Sequence, residues 1–461
     1  MSDAVPIAEL LLRRFAEWGD RPALGTTQTE SSYADLVALA GDARERFDAA
    51  GVGPGDRVII VGDHGPVATA TLIEAIRRRA VVVPLTPRTR AGRGEQLDRL
   101  AWGQFVVDCD APGEPVAPLP SPGDDEPALL ATLRASGHPG MILFTSGSSG
   151  EPKVVVHDLE RLLEPFRDPG RPLRTVSVLL FDHWGGLNTL LRVIASGGFL
   201  ACPASRRPDD ICALVERYAL ELLPASPSFL NMMLLSGAKG RYDLSSLRTI
   251  TYGAEPMPPA LLERLARTFP DVRLQQTYGL VELGVMRTRS AASDSLLMEV
   301  GGEGYEFRVV DGLLEIRADA SMLGYLNAPS PFTEDGFFRT GDRVEVHDGL
   351  IRVLGRESEM INVGGEKVMP TEVESVLLTC DEVADAVVYG EAHPLLGQVV
   401  VADVVPRQGA EADVAAVRRA VRAHATNRLP PHQVPMKVRV VEGPLVNDRQ
   451  KRVRPKAVSD G

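Results

Sequence analysis

The stretch F-T-S-G-S-S-G-E-P-K, residues 144–153, begins at the end of the apolar run G-M-I-L-F-T of residues 140–145. Glycines let backbone N–H groups approach an anion, hydroxyls add further donors, and Lys153 supplies a positive charge. The stretch differs from the G-x-x-x-x-G-K-S/T loop of P-loop nucleotide triphosphatases, because Pro152 precedes the lysine and no Ser or Thr follows it. We therefore expect a strand that leads into a phosphate-binding loop, with a flexible surface turn as the alternative.

Apolar runs alternate with helix-like segments on both sides of this stretch. A helical pattern over residues 67–79 separates the first two strand candidates. The strand candidates are residues 57–62, 80–85, 140–145, 175–181 and 247–255. Strands separated by helices predict an α/β fold with largely parallel sheets flanked by helices.

Length, charge and cysteine usage exclude several classes of protein. A chain of 461 residues is too long for one hydrophobic core, and its net charge of −12 argues against binding to nucleic acid or to an anionic membrane. The four cysteines are scattered without a C-x-x-C pair, which suits a reducing cytoplasm. The N-terminus lacks the pattern of a signal peptide, and its apolar residues instead fit one face of an amphipathic helix: Ile7, Leu10, Leu11, Phe15 and Trp18. No apolar run approaches the roughly 18–20 residues of a membrane span. We expect a cytoplasmic protein without membrane insertion.

The sequence pattern changes after about residue 355, where an α+β pattern of strands and helices replaces the earlier alternation. The polar stretch G-R-E-S-E, residues 355–359, is the expected hinge. We therefore predict a large N-terminal domain of residues 1–356 and a small C-terminal domain of residues 357–461.

Six motifs occur along the chain in one order, and together they resemble the ANL superfamily of adenylate-forming enzymes. The family includes acyl- and aryl-CoA synthetases, nonribosomal adenylation domains and luciferases. The matching segments are residues 144–153, T-Y-G-L-V-E (277–282), G-Y-L-N through R-T-G-D (324–342), G-R-E-S-E through E-V-E (355–374), L-P-P-H-Q-V-P (429–435) and P-L-V-N-D-R-Q-K-R-V-R (444–454).

This resemblance implies a reaction in two halves. A small carboxylic acid attacks the α-phosphate of ATP, which gives an acyl-adenylate and pyrophosphate with the help of Mg²⁺. A second nucleophile, with coenzyme A as the favoured acceptor, then displaces AMP. Nucleotidyl transfer needs alignment and charge stabilisation more than covalent help from the protein, which suits the residue types in these motifs.

The resemblance also assigns roles to residues of this chain. The phosphates of the leaving pyrophosphate are expected against Thr145, Ser146, Gly147, Ser148, Ser149, Gly150 and Lys153. Glu282 is expected to bind Mg²⁺. The adenine is expected against Thr277, Tyr278, Gly279 and the backbone of Gly253, Ala254 and Glu255. Asp342 is expected to accept hydrogen bonds from the ribose hydroxyls, with Arg356 reaching the ribose or phosphates.

Two further residues complete the expected site. Lys451 is expected to stabilise charge during adenylation, although Lys437 and Lys456 are nearby competitors. His183 is expected at the mouth of the acyl pocket, with a core histidine as the equal alternative. Ordinary structural roles also stay open for others: core packing for Tyr278 and a salt bridge for Arg356.

Departures from the family pattern leave rival functions open. Val281 stands where the family has Ser or Thr, Gln450 replaces a glycine, and Ser358 occupies the hinge position. The rivals are transfer of the acyl group to a carrier-protein thiol or an amine, activation of nitrite for diazotisation of an aryl amine, and a non-catalytic nucleotide-binding module. Pyrophosphate release on adding each candidate acid, nitrite included, separates them.

Overall fold

The computed structural model of the chain describes residues 5–111, 113–121, 123, 125–145, 151–407, 413–443, 445–447, 452, 454 and 455. The α-helices are α1 (Ile7–Trp18), α2 (Tyr33–Ala50), α3 (Pro66–Arg77), α4 (Pro87–Arg90), α5 (Gly94–Leu100), α6 (Ala128–Ser136), α7 (Leu159–Leu162), α8 (Trp184–Ala195), α9 (Pro208–Tyr218), α10 (Pro227–Leu235), α11 (Pro259–Thr268), α12 (Pro370–Leu377) and α13 (Val414–Thr426).

The strands before residue 300 are β1 (Pro22–Gly25), β2 (Glu30–Ser32), β3 (Arg57–Val61), β4 (Val81–Leu85), β5 (Phe105–Asp108), β6 (Ala117–Pro118), β7 (Gly140–Thr145), β8 (Lys153–Asp158), β9 (Arg174–Val176), β10 (Phe199–Ala201), β11 (Leu222–Ala225), β12 (Thr249–Tyr252), β13 (Arg273–Gln276), β14 (Gly279–Leu280), β15 (Gly284–Val285), β16 (Arg287–Ser290) and β17 (Met298–Gly301). Those that follow are β18 (Tyr305–Val310), β19 (Leu313–Ala318), β20 (Gly324–Tyr325), β21 (Phe338–His347), β22 (Leu350–Arg356), β23 (Ile361–Val363), β24 (Glu366–Val368), β25 (Val383–His393), β26 (Gly397–Pro406) and β27 (Lys437–Val440).

Two sheets of the large domain have helices on their faces, as the α/β pattern predicted. In the described residues one has the order β13-β12-β11-β9-β10-β1-β2 and the other β20-β8-β7-β4-β3-β5-β6. An apolar cluster between them contains Leu24 of β1, Ile60 of β3 and Phe15 of α1. Burial of each such side chain contributes roughly 1.5–3 kcal/mol, so the amphipathic face of α1 is part of the core that joins the two sheets.

The prediction of a strand over residues 175–181 was wrong beyond Val176, where β9 ends. The chain turns instead at Leu180, whose carbonyl accepts a hydrogen bond from the N–H of His183 at 3.1 Å. An added Cβ at Gly186 would lie 2.0 Å from the carbonyl oxygen of Leu180, so only glycine lets this turn pack against the start of α8.

A third sheet, with the order β16-β17-β22-β21-β19-β18 in the described residues, is antiparallel throughout. The first two sheets contain both parallel and antiparallel pairs. Two of its hairpins turn at Asp-Gly pairs, Asp311-Gly312 and Asp348-Gly349, and all four residues have positive φ. Such pairs favour two-residue hairpin turns, whereas parallel strands need long crossovers. These Asp-Gly pairs are the sequence signal for this antiparallel sheet, which the prediction of largely parallel sheets did not include.

The small domain contains a sheet in which β24, β23, β26 and β25 are neighbours and β27 pairs with β26. Helices α12 and α13 cover it through a core that contains Leu377 and Val421. Because Arg356 ends a strand of the third sheet and Ile361 begins this one, we propose the domain boundary at residues 356/357. No helix among the described residues is long and apolar enough to cross a membrane.

Candidate active site

The hairpin of β21 and β22 places Asp342 directly opposite Arg356. The Nε atom of Arg356 lies 2.8 Å from Oδ1 of Asp342, and the carboxylate is buried while the arginine side chain is 46 % exposed. The register shifts between Arg343 and Val344, which leaves Leu354 without a cross-strand partner. Its carbonyl instead accepts a hydrogen bond from Oγ1 of Thr371 in α12 at 2.7 Å, so the small domain braces the strand that carries Arg356.

Tyr278 is the second partner of the Asp342 carboxylate. The tyrosine hydroxyl donates to Oδ2 of Asp342 at 2.5 Å. Burial raises the pKa of Asp342, while the charge of Arg356 and the Tyr278 hydroxyl act in the opposite direction. Burial and the nearby Asp342 also raise the pKa of Tyr278 well above its usual value, so the hydroxyl stays protonated as the donor. The tyrosine thus has a hydrogen-bonding role besides the core packing it also shows.

Glu282 and Lys153 meet at Tyr325. The Tyr325 hydroxyl donates to Oε1 of Glu282 at 2.8 Å, and Nζ of Lys153 lies 4.9 Å from the centre of the tyrosine ring. Cation–π attraction over a ring face helps to fix the ammonium group. One aromatic side chain therefore orients both the expected phosphate-binding cation and the expected Mg²⁺ ligand.

Asn327 holds the chain beside Lys153. Its Oδ1 accepts a hydrogen bond from the N–H of Val154, and its Nδ2 donates to the carbonyl of Pro152, both at 2.9 Å. Thr145 pairs with Lys153 across β7 and β8, so the ends of the expected phosphate-binding stretch lie side by side. Tyr325 and Asn327 had no role assigned from the sequence, although the G-Y-x-N motif that contains them was the signal.

Gly253 brings two motifs into contact. An added Cβ there would lie 2.5 Å from Oγ1 and 2.7 Å from the carbonyl oxygen of Thr277, so a side chain has no room. Thr277 in turn donates its N–H to the carbonyl of Tyr252 at 2.8 Å. The next residue, Ala254, has φ +69°, an uncommon conformation for a residue with a Cβ. Gly279 is similarly confined, since a Cβ would lie 2.8 Å from the carbonyl oxygen of Gly284.

Glu255 contributes its side chain as well as its backbone to this region. Its Oε1 accepts a hydrogen bond from the N–H of Ser228 at 3.1 Å, and its Oε2 accepts one from the N–H of Arg452 at 3.2 Å. Ser228 lies in the first turn of α10, where N–H groups have no partner inside the helix. The sequence indicated only a backbone role for Glu255.

Two histidines near the site have different roles. Nδ1 of His183 accepts a hydrogen bond from the N–H of Gly185 at 3.1 Å and caps α8. A role of His183 in binding the acid stays a prediction. His157 is fully buried, and burial lowers its pKa to about 4, so the neutral ring donates from Nε2 to the carbonyl of Val281 at 2.7 Å. No sequence signal singled out His157, whose partner is 124 residues away in the chain.

Several predicted residues lie outside the described part of the chain: Ser146, Gly147, Ser148, Ser149, Gly150, Gln450 and Lys451. Two arginines close to Lys451 in the sequence, Arg452 and Arg454, are described. Arg454 pairs with Glu359 at 3.0 Å and with Glu374 at 2.9 Å, while Arg452 pairs with Asp385 at 3.3 Å. These ion pairs hold Arg452 and Arg454 on the rest of the small domain.

The described residues show one carboxylate suited to Mg²⁺ rather than an all-protein metal cage. No group of three or more His, Cys, Asp or Glu side chains with metal-site geometry occurs among the residues that the structure describes. Mg²⁺ is commonly bound by one or two carboxylates together with substrate phosphates and water. The oxygen donors of Glu282, beside Lys153, fit that kind of site.

Family models of known proteins match most of the chain. The family model described as AMP-binding enzyme matches residues 11–321, and the model described as AMP-binding enzyme C-terminal domain matches residues 372–449. A CoA ligase of Mycobacterium tuberculosis, named for a propanoate on a methyl-dioxo-octahydroindene ring, is 30% identical and aligned over 90% of each chain. Indoleacetate–CoA ligase of Aromatoleum aromaticum is 27% identical, with 86% of this chain and 89% of that protein aligned.

Among solved structures, the anthranilate CoA ligase AuaEII in complex with anthranoyl-AMP superposes with a TM-score of 0.81 at 18% identity. The match covers 98% of this chain and 96% of that one. At this identity the likeness shows the fold, whereas the family models and the relative at 30% identity show the family. The chain therefore belongs to the AMP-binding enzyme family, within the ANL superfamily of adenylate-forming enzymes.

Proposed function

We propose that the protein is an ATP-dependent ligase that activates a carboxylic acid as an acyl-adenylate and transfers the acyl group to the thiol of coenzyme A. The observation that carries the proposal is that the motif T-Y-G-L-V-E, residues 277–282, links two hydrogen-bonded groups of residues. Tyr278 at its start bonds to Asp342, and Glu282 at its end accepts from Tyr325. The charge of Glu282 acts on both Asp342 and Arg356. Groups suited to ribose, phosphate and Mg²⁺ are thereby close together.

In this proposal Asp342 binds the ribose. Its carboxylate offers only acceptors, which suits a diol, and Arg356 and Tyr278 hold it in one orientation. The turn of Gly253 and Ala254 supplies backbone to the adenine. Lys153 attracts the β- and γ-phosphates, and Mg²⁺ bound at Glu282 would neutralise part of their charge.

The acid's carboxylate then attacks the α-phosphorus, the bond to the bridging oxygen of pyrophosphate breaks, and pyrophosphate leaves. Fixed charges stabilise such a transition state because they need no reorganisation during the reaction. Val281 supplies no hydroxyl at this point, and its carbonyl is already bound by His157. We assign the missing stabilisation chiefly to Lys451. The thiol of coenzyme A next attacks the acyl carbon and displaces AMP.

Ring-bearing carboxylic acids are the proposed substrate class. The relatives with CoA ligase in their names include proteins named for indoleacetate, for a fused-ring propanoate and for a naphthoate. The cysteines among the described residues are buried and free, which suits the cytoplasm as the proposed location. A carrier-protein thiol remains the alternative acceptor.

Pyrophosphate release tests the proposal. The purified protein is incubated with ATP, Mg²⁺ and a panel of aryl and alkyl acids that includes nitrite, with and without coenzyme A. We expect AMP and pyrophosphate with a ring-bearing acid, and an acyl-CoA product when coenzyme A is present. ADP and phosphate as products, or ATP binding without turnover for every acid, would refute the ligase. Adenylate formation without acyl-CoA would refute the assignment of coenzyme A as acceptor.

A further inference from the structure

The carboxylate of Glu255 joins the two domains beside the proposed adenine site. One oxygen accepts from Ser228 in the large domain, and the other accepts from the backbone N–H of Arg452 in the small domain. We propose that Glu255 is a positioning residue, a dock that holds Arg452 of the small domain on the large domain during adenylation. The inference rests on the proposed function, in which Lys451 acts in the first half-reaction.

Arg452 is attached to both domains through different parts of the residue. Its side chain is 4 % exposed and binds β25, where Nη1 donates to the carbonyl of Ala386 and Nη2 lies 3.3 Å from Oδ1 of Asp385. The backbone N–H of Arg452 donates a hydrogen bond to the carboxylate of Glu255, which lies 197 residues away in the sequence. Arg452 directly follows Lys451 in the sequence. We therefore expect loss of the dock to be felt in the half-reaction that is assigned to this lysine.

Glu255 is held in place from the large-domain side. The preceding Ala254 adopts φ +69°, and Gly253 packs tightly on Thr277, so the turn has little freedom. Left-handed backbone at a residue with a Cβ persists where the surroundings determine it, and such residues are frequent at functional sites. The bond to Ser228 also places the negative charge at the N-terminal end of α10, where the helix dipole stabilises it.

The dock is weak enough to open. It consists of one 3.2 Å hydrogen bond from a neutral N–H to a half-buried carboxylate, while Arg452 keeps its ion pairs within the small domain. Two other hydrogen bonds among the described residues cross between α10 or α11 and the small domain, Asn231 to Ala384 at 3.5 Å and Ala260 to Ser375 at 3.4 Å. The shorter Glu255 bond is therefore the one that we expect to hold Arg452 on the large domain in the adenylation half-reaction and to release it in the other.

The kinetic test uses Glu255→Gln and Glu255→Ala with the acid that gives the highest pyrophosphate release. We expect single-turnover adenylate formation to fall about tenfold, the loss of one hydrogen bond to a charged group, while thioester formation from the supplied acyl-adenylate stays unchanged. Ser375→Ala is the matched control, because it removes an interdomain hydrogen bond that involves neither Glu255 nor Arg452. Asp385→Asn, which loosens Arg452 on its other side, is expected to lower adenylation as well.

A second readout does not depend on turnover. The cysteines among the described residues are buried, so cysteines introduced at Glu263 in α11 and Arg418 in α13, both exposed, accept spin labels selectively. With ATP and Mg²⁺ as the probe, we expect Glu255→Gln to broaden the distance distribution between the labels, and Ser375→Ala to leave it unchanged.

The outcomes separate the two proposals. A wild-type protein that releases no pyrophosphate for any acid refutes the ligase, and the label distances still test the dock. The dock is overturned if Glu255→Gln leaves adenylation and label distances unchanged, if it slows both half-reactions equally, or if Ser375→Ala causes the same loss.

Discussion

Removal of the Tyr278 hydroxyl is expected to weaken the proposed ribose site. Tyr278→Phe deletes the 2.5 Å bond to Oδ2 of Asp342 but keeps the ring that packs in the core. Hydrogen bonds to charged groups are worth roughly 1.5–3 kcal/mol, and Asp342 retains Arg356, so the low end applies. We expect kcat/KM for ATP to fall about tenfold, since about 1.4 kcal/mol corresponds to a factor of ten.

The same change is expected to alter the pH dependence of activity. Burial raises the pKa of Asp342, and the Tyr278 hydroxyl opposes this effect by bonding to the ionised form. Without the hydroxyl, the pKa of Asp342 rises further. Because the ionised carboxylate is the acceptor for ribose, activity falls as the pH falls through this pKa. The acid limb of kcat/KM therefore moves to higher pH, and the loss is greatest on the acid side.

Acid-dependent exchange of pyrophosphate into ATP, measured across the pH range, checks both effects. Tyr33→Phe is the matched control, because its buried hydroxyl donates to the carbonyl of Gly198 at 2.8 Å in a different apolar cluster. It removes a comparable bond without touching Asp342 and is expected to leave the pH profile in place. The reasoning fails if Tyr278→Phe leaves the acid limb where it is in the wild type, or if Tyr33→Phe shifts it equally.

Three further predictions follow from single residues. Val281→Thr introduces a hydroxyl at the position where the proposed mechanism expects a contact with the α-phosphate. Single-turnover adenylation should rise at most about tenfold, the value of one neutral hydrogen bond, and no gain would mean that other donors suffice. Lys451→Ala should lower the rate of adenylation by roughly 10²–10³ and leave thioester formation unchanged. Ser358→Pro should stiffen the hinge, and so slow thioester formation while sparing adenylation. Separate assays of the two half-reactions will test both expectations. Gly253→Ala places a methyl group 2.5 Å from Oγ1 of Thr277 and should raise the KM for ATP, and an unchanged KM would show that the turn relaxes freely.

Local patterns in the sequence were sufficient for elements that depend on neighbouring residues. The amphipathic spacing of residues 7–18 predicted α1, and the apolar run of residues 140–145 predicted β7. The strand expected through residue 181 ended at Val176, because apolar character alone does not separate a strand from a buried turn. The turn forms here because Gly186 packs against the carbonyl of Leu180.

The sequence was also sufficient to identify the candidate site residues, because the chemical role expected at each position depends on its own side chain. Lys153, Glu282, Asp342 and Arg356 were all named as candidates from their motifs. Among their contacts, the pair of Asp342 and Arg356 has a local origin, in a hairpin with an Asp-Gly turn.

The tertiary structure alone decided which distant side chains support these residues. His157 binds the carbonyl of Val281 from 124 residues away, Tyr278 reaches Asp342 across 64, and Glu255 meets Arg452 across 197. Local sequence patterns reflect backbone preferences and the periodicity of apolar residues, which act over a few positions. Contacts of this kind depend instead on how whole sheets and domains pack, and no short-range pattern encodes that packing.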